Sequence, residues 1–188
     1  MELTVELVRQ RYREKAGFRL NRPEGANCYI LLHFLTPVAL TYGEKTVAAP
    51  CGSLIVFSPG FPHGFVSEAP LVHDWMHLSG DVEALMAEYG LQPNTLYQPE
   101  IEAAISEITG LLETEFFSRR PFWGQLAEVK VRELFIRTAQ ALSEKPLRDM
   151  VSAENAEALR RVHAKMLSAL ELRWSVEDIA AEMNLSPS

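Results

Sequence analysis

Residues 46–60, TVAAPCGSLIVFSPG, contain two short apolar runs that are each followed by residues typical of turns. Pro50-Cys51-Gly52 follows the first run, and Ser58-Pro59-Gly60 follows the second. Proline fixes φ and glycine tolerates the left-handed region, so such clusters reverse the chain direction. The stretch therefore predicts two consecutive short β-strands.

The sequence on both sides continues this pattern. NCYILLHFL (27–35) is apolar on both alternating faces, and VALTY (38–42) leads into a Gly43-Glu44-Lys45 turn. Strands with turn signals at roughly 8- to 12-residue spacing are typical of a β-sandwich or barrel. We therefore expect β-structure from Ala26 to about Ser79, with the N-terminal arm unassigned.

After Gly80 the apolar period changes from two residues to 3.6, which predicts helices. VEALMAEYG (82–90) predicts a short helix, and residues 101–116 predict a longer one that is interrupted at Arg119-Arg120-Pro121. A third helix is expected over 124–142, and it is apolar on two sides. One side carries Val131, Leu134, Phe135 and Thr138, and the other carries Leu126, Val129, Ile136 and Ala139. The second side meets either a second subunit or the rest of its own domain.

The net charge of −7 is unevenly distributed along the 188 residues. Residues 1–22 hold six Lys/Arg and three Asp/Glu, whereas residues 23–99 hold a single basic residue, Lys45, and seven acidic ones. The predicted β-region would therefore repel a phosphate backbone. The charged first residues lack the apolar run of a signal peptide, and no stretch approaches the length of a membrane span, so we expect a cytoplasmic protein without membrane contact.

The last residues, SVEDIAAEMNLSPS (175–188), predict one complete helix and the beginning of a second. Ser175 followed by Asp178 is a short form of the capping box, and Ser186-Pro187 is again a helix-start signal. Two short helices joined by a tight turn form a helix-turn-helix, in which the second helix enters the major groove of DNA.

These residues resemble a known family. LRRVHAKMLSALELRWSVEDIAAEMNLSPS (159–188) resembles the start of the DNA-binding domain of AraC-type bacterial transcription regulators, matching its pattern at Ile179, Ala180, Leu185, Ser186 and Ser188. In that family about seventy further residues follow. The resemblance implies that Ser186 and Ser188 begin a DNA-binding recognition helix, and that DNA is a partner of the full-length protein but not of this fragment.

The resemblance extends upstream. APCGSLIVFSPGFPHGF (49–65) resembles a cupin-type barrel, HDWMHLSG (73–80) resembles a strand of the same family, and NRPEGANCYILL (21–32) resembles a segment of its sugar-responsive members. It implies an α+β fold with a cupin-like jelly-roll barrel. We expect a ligand-binding and dimerisation domain over 1–145, a linker over 146–154 and the start of the DNA-binding domain over 155–188, with the chain acting as a homodimer.

The HDWMH strand places His73, Trp75 and His77 on one face by simple alternation. In arabinose-responsive members the positions that match Arg22, His73 and Trp75 contact the sugar, and Phe65 stands where those members have a tyrosine. The resemblance therefore implies a sugar-like effector. The predicted ligand-binding residues are Arg22, His63, Phe65, His73, Trp75 and His77.

Two other interpretations remain open. Trp75, Phe65 and His63 could simply fill a small barrel. Alternatively His33, His63, His73 and His77 could cluster around a catalytic metal, as in a metal-dependent cupin enzyme. The H-x-H pair of metal cupins is missing, because the earlier strand supplies only His33. We therefore expect a regulator that is not an enzyme and holds neither metal nor cofactor.

Overall fold

The computed structural model describes residues 3–150, 158, 161–166 and 174–182. The chain divides into two compact units, Met1–Leu142 and Ser143–Ser188, which are described separately as the first and second units. No helix in these described ranges combines the length and the apolar character that a membrane span requires.

The first unit contains eight β-strands, followed by helices. The strands are β1 (Leu3–Glu14), β2 (Arg19–Arg22), β3 (Tyr29–Phe34), β4 (Val38–Tyr42), β5 (Lys45–Ala49), β6 (Ser53–Phe57), β7 (His63–Val66) and β8 (Leu71–Gly80). The helices are α1 (Val82–Glu88), α2 (Glu102–Ser118) and α3 (Trp123–Met150), of which α3 continues beyond the end of this unit. The sequence predicted all of these elements except β1 and β2.

The strands form two four-stranded antiparallel sheets. One sheet has the order β1-β8-β3-β6, and the other has the order β2-β7-β4-β5. The expected α+β fold with a cupin-like jelly roll is confirmed. The barrel is open, however, because no ladder joins the two sheets among the described strands. Gly52 makes the turn before β6 with φ of +83°, and a Cβ there would collide with the Glu102 side chain.

The sheet that contains β1 is covered on both faces, so its strands contribute to two cores. One core lies between the sheets and includes Ile30, Leu32, Phe34, Leu40, Phe57 and Phe65. The other lies between that sheet and the helices, and includes Leu31, Met76, Leu78, Ile108, Leu112, Val131, Leu134 and Phe135. Strands buried on both faces read as continuous apolar runs, which explains why NCYILLHFL shows no polar face.

The N-terminal arm is part of the sandwich. Residues Leu3–Glu14 form β1, which pairs with β8 at the edge of its sheet. Its register shifts between Val5 and Leu7 and again between Arg9 and Tyr12. Arg11, inside the second irregularity, has φ of +46°. These two bulges break the alternation along β1, and they explain why its strand character was not predicted.

The second apolar side of helix α3 is covered only in part, since Ala139 packs against the helix-side core. Val131, Leu134 and Phe135 are buried against the helix-side core, as predicted. Val129 and Leu126 on the other side are 58% and 41% exposed, so the first unit itself does not cover them. The helix also continues to Met150, and the predicted 146–154 linker therefore begins inside it.

In the second unit, residues 161–166 are helical and α4 spans Val176–Glu182. The predicted capping box of α4 is formed. The backbone N–H of Asp178 donates to Ser175 Oγ over 3.1 Å, and Asp178 Oδ2 accepts from the backbone N–H of Ser175 over 2.9 Å. Ser186 and Ser188, the predicted start of the recognition helix, lie outside the described residues.

Candidate functional site

A cavity of about 250 Å³ lies between the two sheets of the first unit, near the edges formed by β1 and β2. Both sheets and the turn that joins β1 to β2 contribute side chains to its wall. The lining residues are Tyr12, Glu14, Phe18, Leu20, Arg22, Ile30, Leu32, His63, Phe65, His73, Trp75 and His77. All six residues predicted as ligand contacts are among them.

Strand pairing explains how these side chains come together. In the β2–β7 ladder Arg22 lies directly opposite His63, and Leu20 lies opposite Phe65. In the β3–β8 ladder Leu32 lies opposite Trp75, and Ile30 lies opposite His77. Residues directly opposite in a ladder project from the same face with their Cβ atoms about 5 Å apart. Each sheet therefore presents a polar or mixed pair beside an apolar one.

Arg22 supplies the fixed positive charge of the cavity. It is half-buried, and its guanidinium forms no ion pair or hydrogen bond within the described residues. Burial lowers the pKa of both His63 and His77, and the Arg22 guanidinium lowers each pKa further. The Arg22 end of the cavity is thus electropositive while both imidazoles are neutral at pH 7.

The hydrogen bond of His63 defines its tautomer. Its Nδ1 lies 2.8 Å from the carbonyl oxygen of Phe61, and because a carbonyl only accepts, Nδ1 carries the proton. Nε2 of neutral His63 is therefore an acceptor, and it is buried with no hydrogen-bond partner among the described residues. Such an unpaired atom in a cavity wall is free to bind a donor from a ligand.

His73 lies among aromatic rings in the cavity wall. Its ring centroid is 6.2 Å from that of Tyr12 and 5.9 Å from that of Phe65. Burial lowers the pKa of His73 from 6.5 to about 4, against the opposing effect of the nearby Asp74 carboxylate. Nδ1 of His73 is also buried with no partner in the described part of the chain. Trp75 lies beside it, with Tyr12 edge-on at 6.0 Å.

The opposite face of β8 carries a buried polar network that the sequence did not reveal. Asp74 Oδ2 accepts from His33 Nδ1 over 2.8 Å and from Ser106 Oγ over 2.5 Å. Asp74 Oδ1 accepts from the backbone N–H of Arg11 over 2.7 Å. Asp74 therefore joins β3, helix α2 and the bulge of β1, directly behind the cavity wall.

This network bears on the four-histidine metal site considered from the sequence. His33 belongs to the helix-side face with Asp74, whereas His63, His73 and His77 line the cavity, so the four imidazoles do not converge. Over the described residues, no group of three or more His, Cys, Asp or Glu side chains has the geometry to hold a metal ion.

Six lining residues were not predicted as ligand contacts. Ile30 and Leu32 lie on β3, whose strand was predicted. Tyr12, Glu14, Phe18 and Leu20 lie in the N-terminal segment that carried no strand assignment. The alternation of Leu3, Val5 and Leu7 was the available signal for a strand, but the bulge between Arg9 and Tyr12 hides which later residues face inward.

Comparison with known proteins gives a family for this domain. Residues 37–121 match the family model of the AraC-like ligand binding domain. No curated protein sequence matches the chain.

Among solved structures, the apo form of a ToxT variant from Vibrio cholerae is similar with 12% identity and a TM-score of 0.49, over 99% of this chain and 72% of that one. Wild-type ToxT from Vibrio cholerae with bound unsaturated fatty acid is similar with 14% identity and a TM-score of 0.42, over 97% of this chain and 68% of that one. A cupin superfamily protein from Desulfitobacterium hafniense has 8% identity and a TM-score of 0.34, over 42% of this chain and 76% of that one.

The match of residues 37–121 covers the strands that supply His63, Phe65, His73, Trp75 and His77 to the cavity. The resemblance to AraC-type regulators inferred from the sequence is confirmed for residues 37–121, which match the AraC-like ligand binding domain.

Proposed function

We propose that the first unit binds a small-molecule effector in the inter-sheet cavity and is the sensing part of an AraC-type transcription regulator. The observation that carries this proposal is the cavity itself. Among the described residues, the Arg22 guanidinium and two imidazole nitrogens in its wall have no partner, and they lie beside aromatic side chains. Ligand sites are typically apolar concavities with a few convergent polar groups. The regulator's DNA-binding domain would begin near residue 155, after the predicted 146–154 linker.

The contacts of β1 support a route from the cavity to the helices. Tyr12 and Glu14 line the cavity, and on the same strand Gln10 Nε2 donates to the backbone carbonyl of Ser106 in α2 over 2.7 Å. The backbone N–H of Gln10 also donates to Glu113 Oε2 over 3.2 Å. An effector that touches Tyr12 therefore acts on a strand tied to α2. Effector binding changes the equilibrium between two conformations of the regulator only if the effector has different affinities for them.

A thermal-shift screen of the 188-residue chain tests effector binding. A ligand present at about 100 times its Kd stabilises the folded state by about 2.7 kcal/mol, which is a clear rise in Tm. In Leu20→Trp the added ring occupies the cavity, so we expect this variant to lose the response to every hit. The same change at exposed Leu111 is the matched control and should keep it. If sugars and organic acids leave the Tm unchanged, or if Leu20→Trp responds like the unmodified chain, the proposal is wrong.

We further propose that the outer side of α3 binds a second copy of this chain. A shallow groove there is lined by Val129, Arg132, Glu133, Ile136, Arg137 and Gln140. Glu133 lies between Lys130 and Arg137 and forms ion pairs with both. In a two-fold symmetric dimer, the α3 helices of the two copies would pack antiparallel, with the exposed Val129 in the contact. The acidic and basic side chains of the groove on one copy would then face those on the other and form ion pairs between the copies.

Light scattering on the purified chain tests this dimer. We expect a dimer for the unmodified chain and a monomer for Val129→Glu, because a charged side chain would replace an apolar one in the contact and would lose its hydration there. Thr114→Glu on the exposed surface of α2 is the control and should remain dimeric. A monomeric unmodified chain, or a dimeric Val129→Glu, would rule out this surface.

A further inference from the structure

Resting on the proposed effector site, we propose that the effector is a small hydroxy acid with an apolar body, and not a sugar. The ligand's carboxylate binds Arg22, its neighbouring hydroxyl donates to His63, and its apolar body lies between Phe65 and Trp75. The sequence resemblance implied a sugar-like effector, so the two classes of ligand are directly opposed.

The pairing of Arg22 with His63 is the first argument. These residues are direct cross-strand partners, so a guanidinium donor and an imidazole acceptor lie next to each other on one face. The guanidinium has no carboxylate partner in the described part of the chain, and it matches a carboxylate in its planar, forked geometry. A carboxylate with a hydroxyl on the adjacent carbon satisfies the donor and the acceptor together.

The remaining wall is the second argument. Next to the polar pair along the β2–β7 ladder stands an apolar one, Leu20 with Phe65, and the opposite sheet presents Leu32 with Trp75. A sugar carries hydroxyls around its whole ring. Those facing the leucine and phenylalanine side chains would lose water without gaining a partner, which is unfavourable. An apolar ring or branched chain suits this part of the cavity.

Glu14 supplies the third argument, since it makes the two ends of the cavity different. It lines the cavity and lies opposite Leu71 in the β1–β8 ladder. Leu71 is the first residue of β8, whereas His77 lies towards the other end of that strand. Its carboxylate repels an anionic group at that end, whereas Arg22 attracts one at the other. The arrangement therefore selects one orientation and disfavours a dicarboxylate. A volume of about 250 Å³ is below that of sites for drug-sized molecules, which indicates a small ligand.

Mandelate is a suitable probe because two closely matched compounds remove one feature each. Phenylacetate lacks the hydroxyl, and 1-phenyl-1,2-ethanediol lacks the charge. L-arabinose, which represents the sugar class, lacks both the charge and the apolar body. Calorimetric titration of the 188-residue chain should give the tightest binding for mandelate. We expect phenylacetate to bind about fivefold more weakly through loss of one hydrogen bond, and the diol more than about tenfold more weakly.

Variants locate the binding of the charge. Arg22→Gln should weaken mandelate binding by about tenfold or more and leave binding of the diol almost unchanged. Arg19→Gln on the same strand is exposed and does not line the cavity, so it is the matched control and should bind mandelate normally.

The hydroxy-acid assignment is overturned if arabinose or the diol binds as tightly as mandelate, or if Arg22→Gln binds mandelate like the unmodified chain. It is also overturned if mandelate does not bind. If arabinose or the diol binds as tightly as mandelate and Leu20→Trp abolishes that binding, the proposed effector site in the cavity still stands. The two proposals therefore fail separately.

Discussion

The buried imidazole of His73 makes the stability of the first unit depend on pH. In the unfolded chain its pKa is 6.5, and in the folded protein burial lowers it to about 4. Between these two values the unfolded state binds more protons, so stability is complete above pH 6.5 and falls as the pH decreases. The difference corresponds to a loss of about 2 kcal/mol by pH 5 and about 3 kcal/mol by pH 4.

His73→Phe tests this reasoning, because phenylalanine has a similar size, does not titrate and suits the surrounding aromatic rings. Urea unfolding followed by circular dichroism at pH 7 and pH 5 gives the free energy of unfolding of each protein. The unmodified chain should lose about 2 kcal/mol more than His73→Phe between these pH values. His163→Gln removes an exposed histidine and should retain the full loss. Equal losses in His73→Phe and the unmodified chain would refute the argument.

Three further changes test the framework around the cavity. Asp74→Ala should lower the free energy of unfolding by about 3 kcal/mol, because it leaves His33 buried without its partner. Denaturant unfolding at pH 7 measures this loss, and a value below about 1 kcal/mol would contradict a structural role for the network. Leu31→Ala in the fully buried helix-side core should cost about 3 kcal/mol in the same assay, whereas Leu111→Ala at an exposed position should cost less than about 1 kcal/mol. Gly52→Ala should lower the Tm, since the turn needs a positive φ and the new Cβ would collide with a neighbouring side chain; an unchanged Tm would show that the turn adapts.

Much of the fold was predictable because its signals are local. The apolar runs and turn clusters from Ala26 to Ser79 predicted β3 to β8, and the change of period after Gly80 predicted α1, α2 and α3. Each of these patterns depends only on residues a few positions apart. The capping box at Ser175 is equally local, and it was also correct.

The site was predictable only in part. Alternation along one strand placed His73, Trp75 and His77 on one face, and the resemblance to AraC-type regulators added Arg22, His63 and Phe65. Their presence in one cavity follows from the pairing of strands that are distant in the sequence.

The sequence by itself therefore determined the elements from β3 to α3, the inward face of β8 and the AraC-type resemblance. Only the tertiary structure decided that β1 joins the sheet, that Arg22 stands opposite His63, and that Asp74 binds His33 behind the cavity. The reason is physical: alternation and helical periodicity follow from neighbouring residues, whereas strand register and sheet packing depend on contacts between segments far apart along the chain.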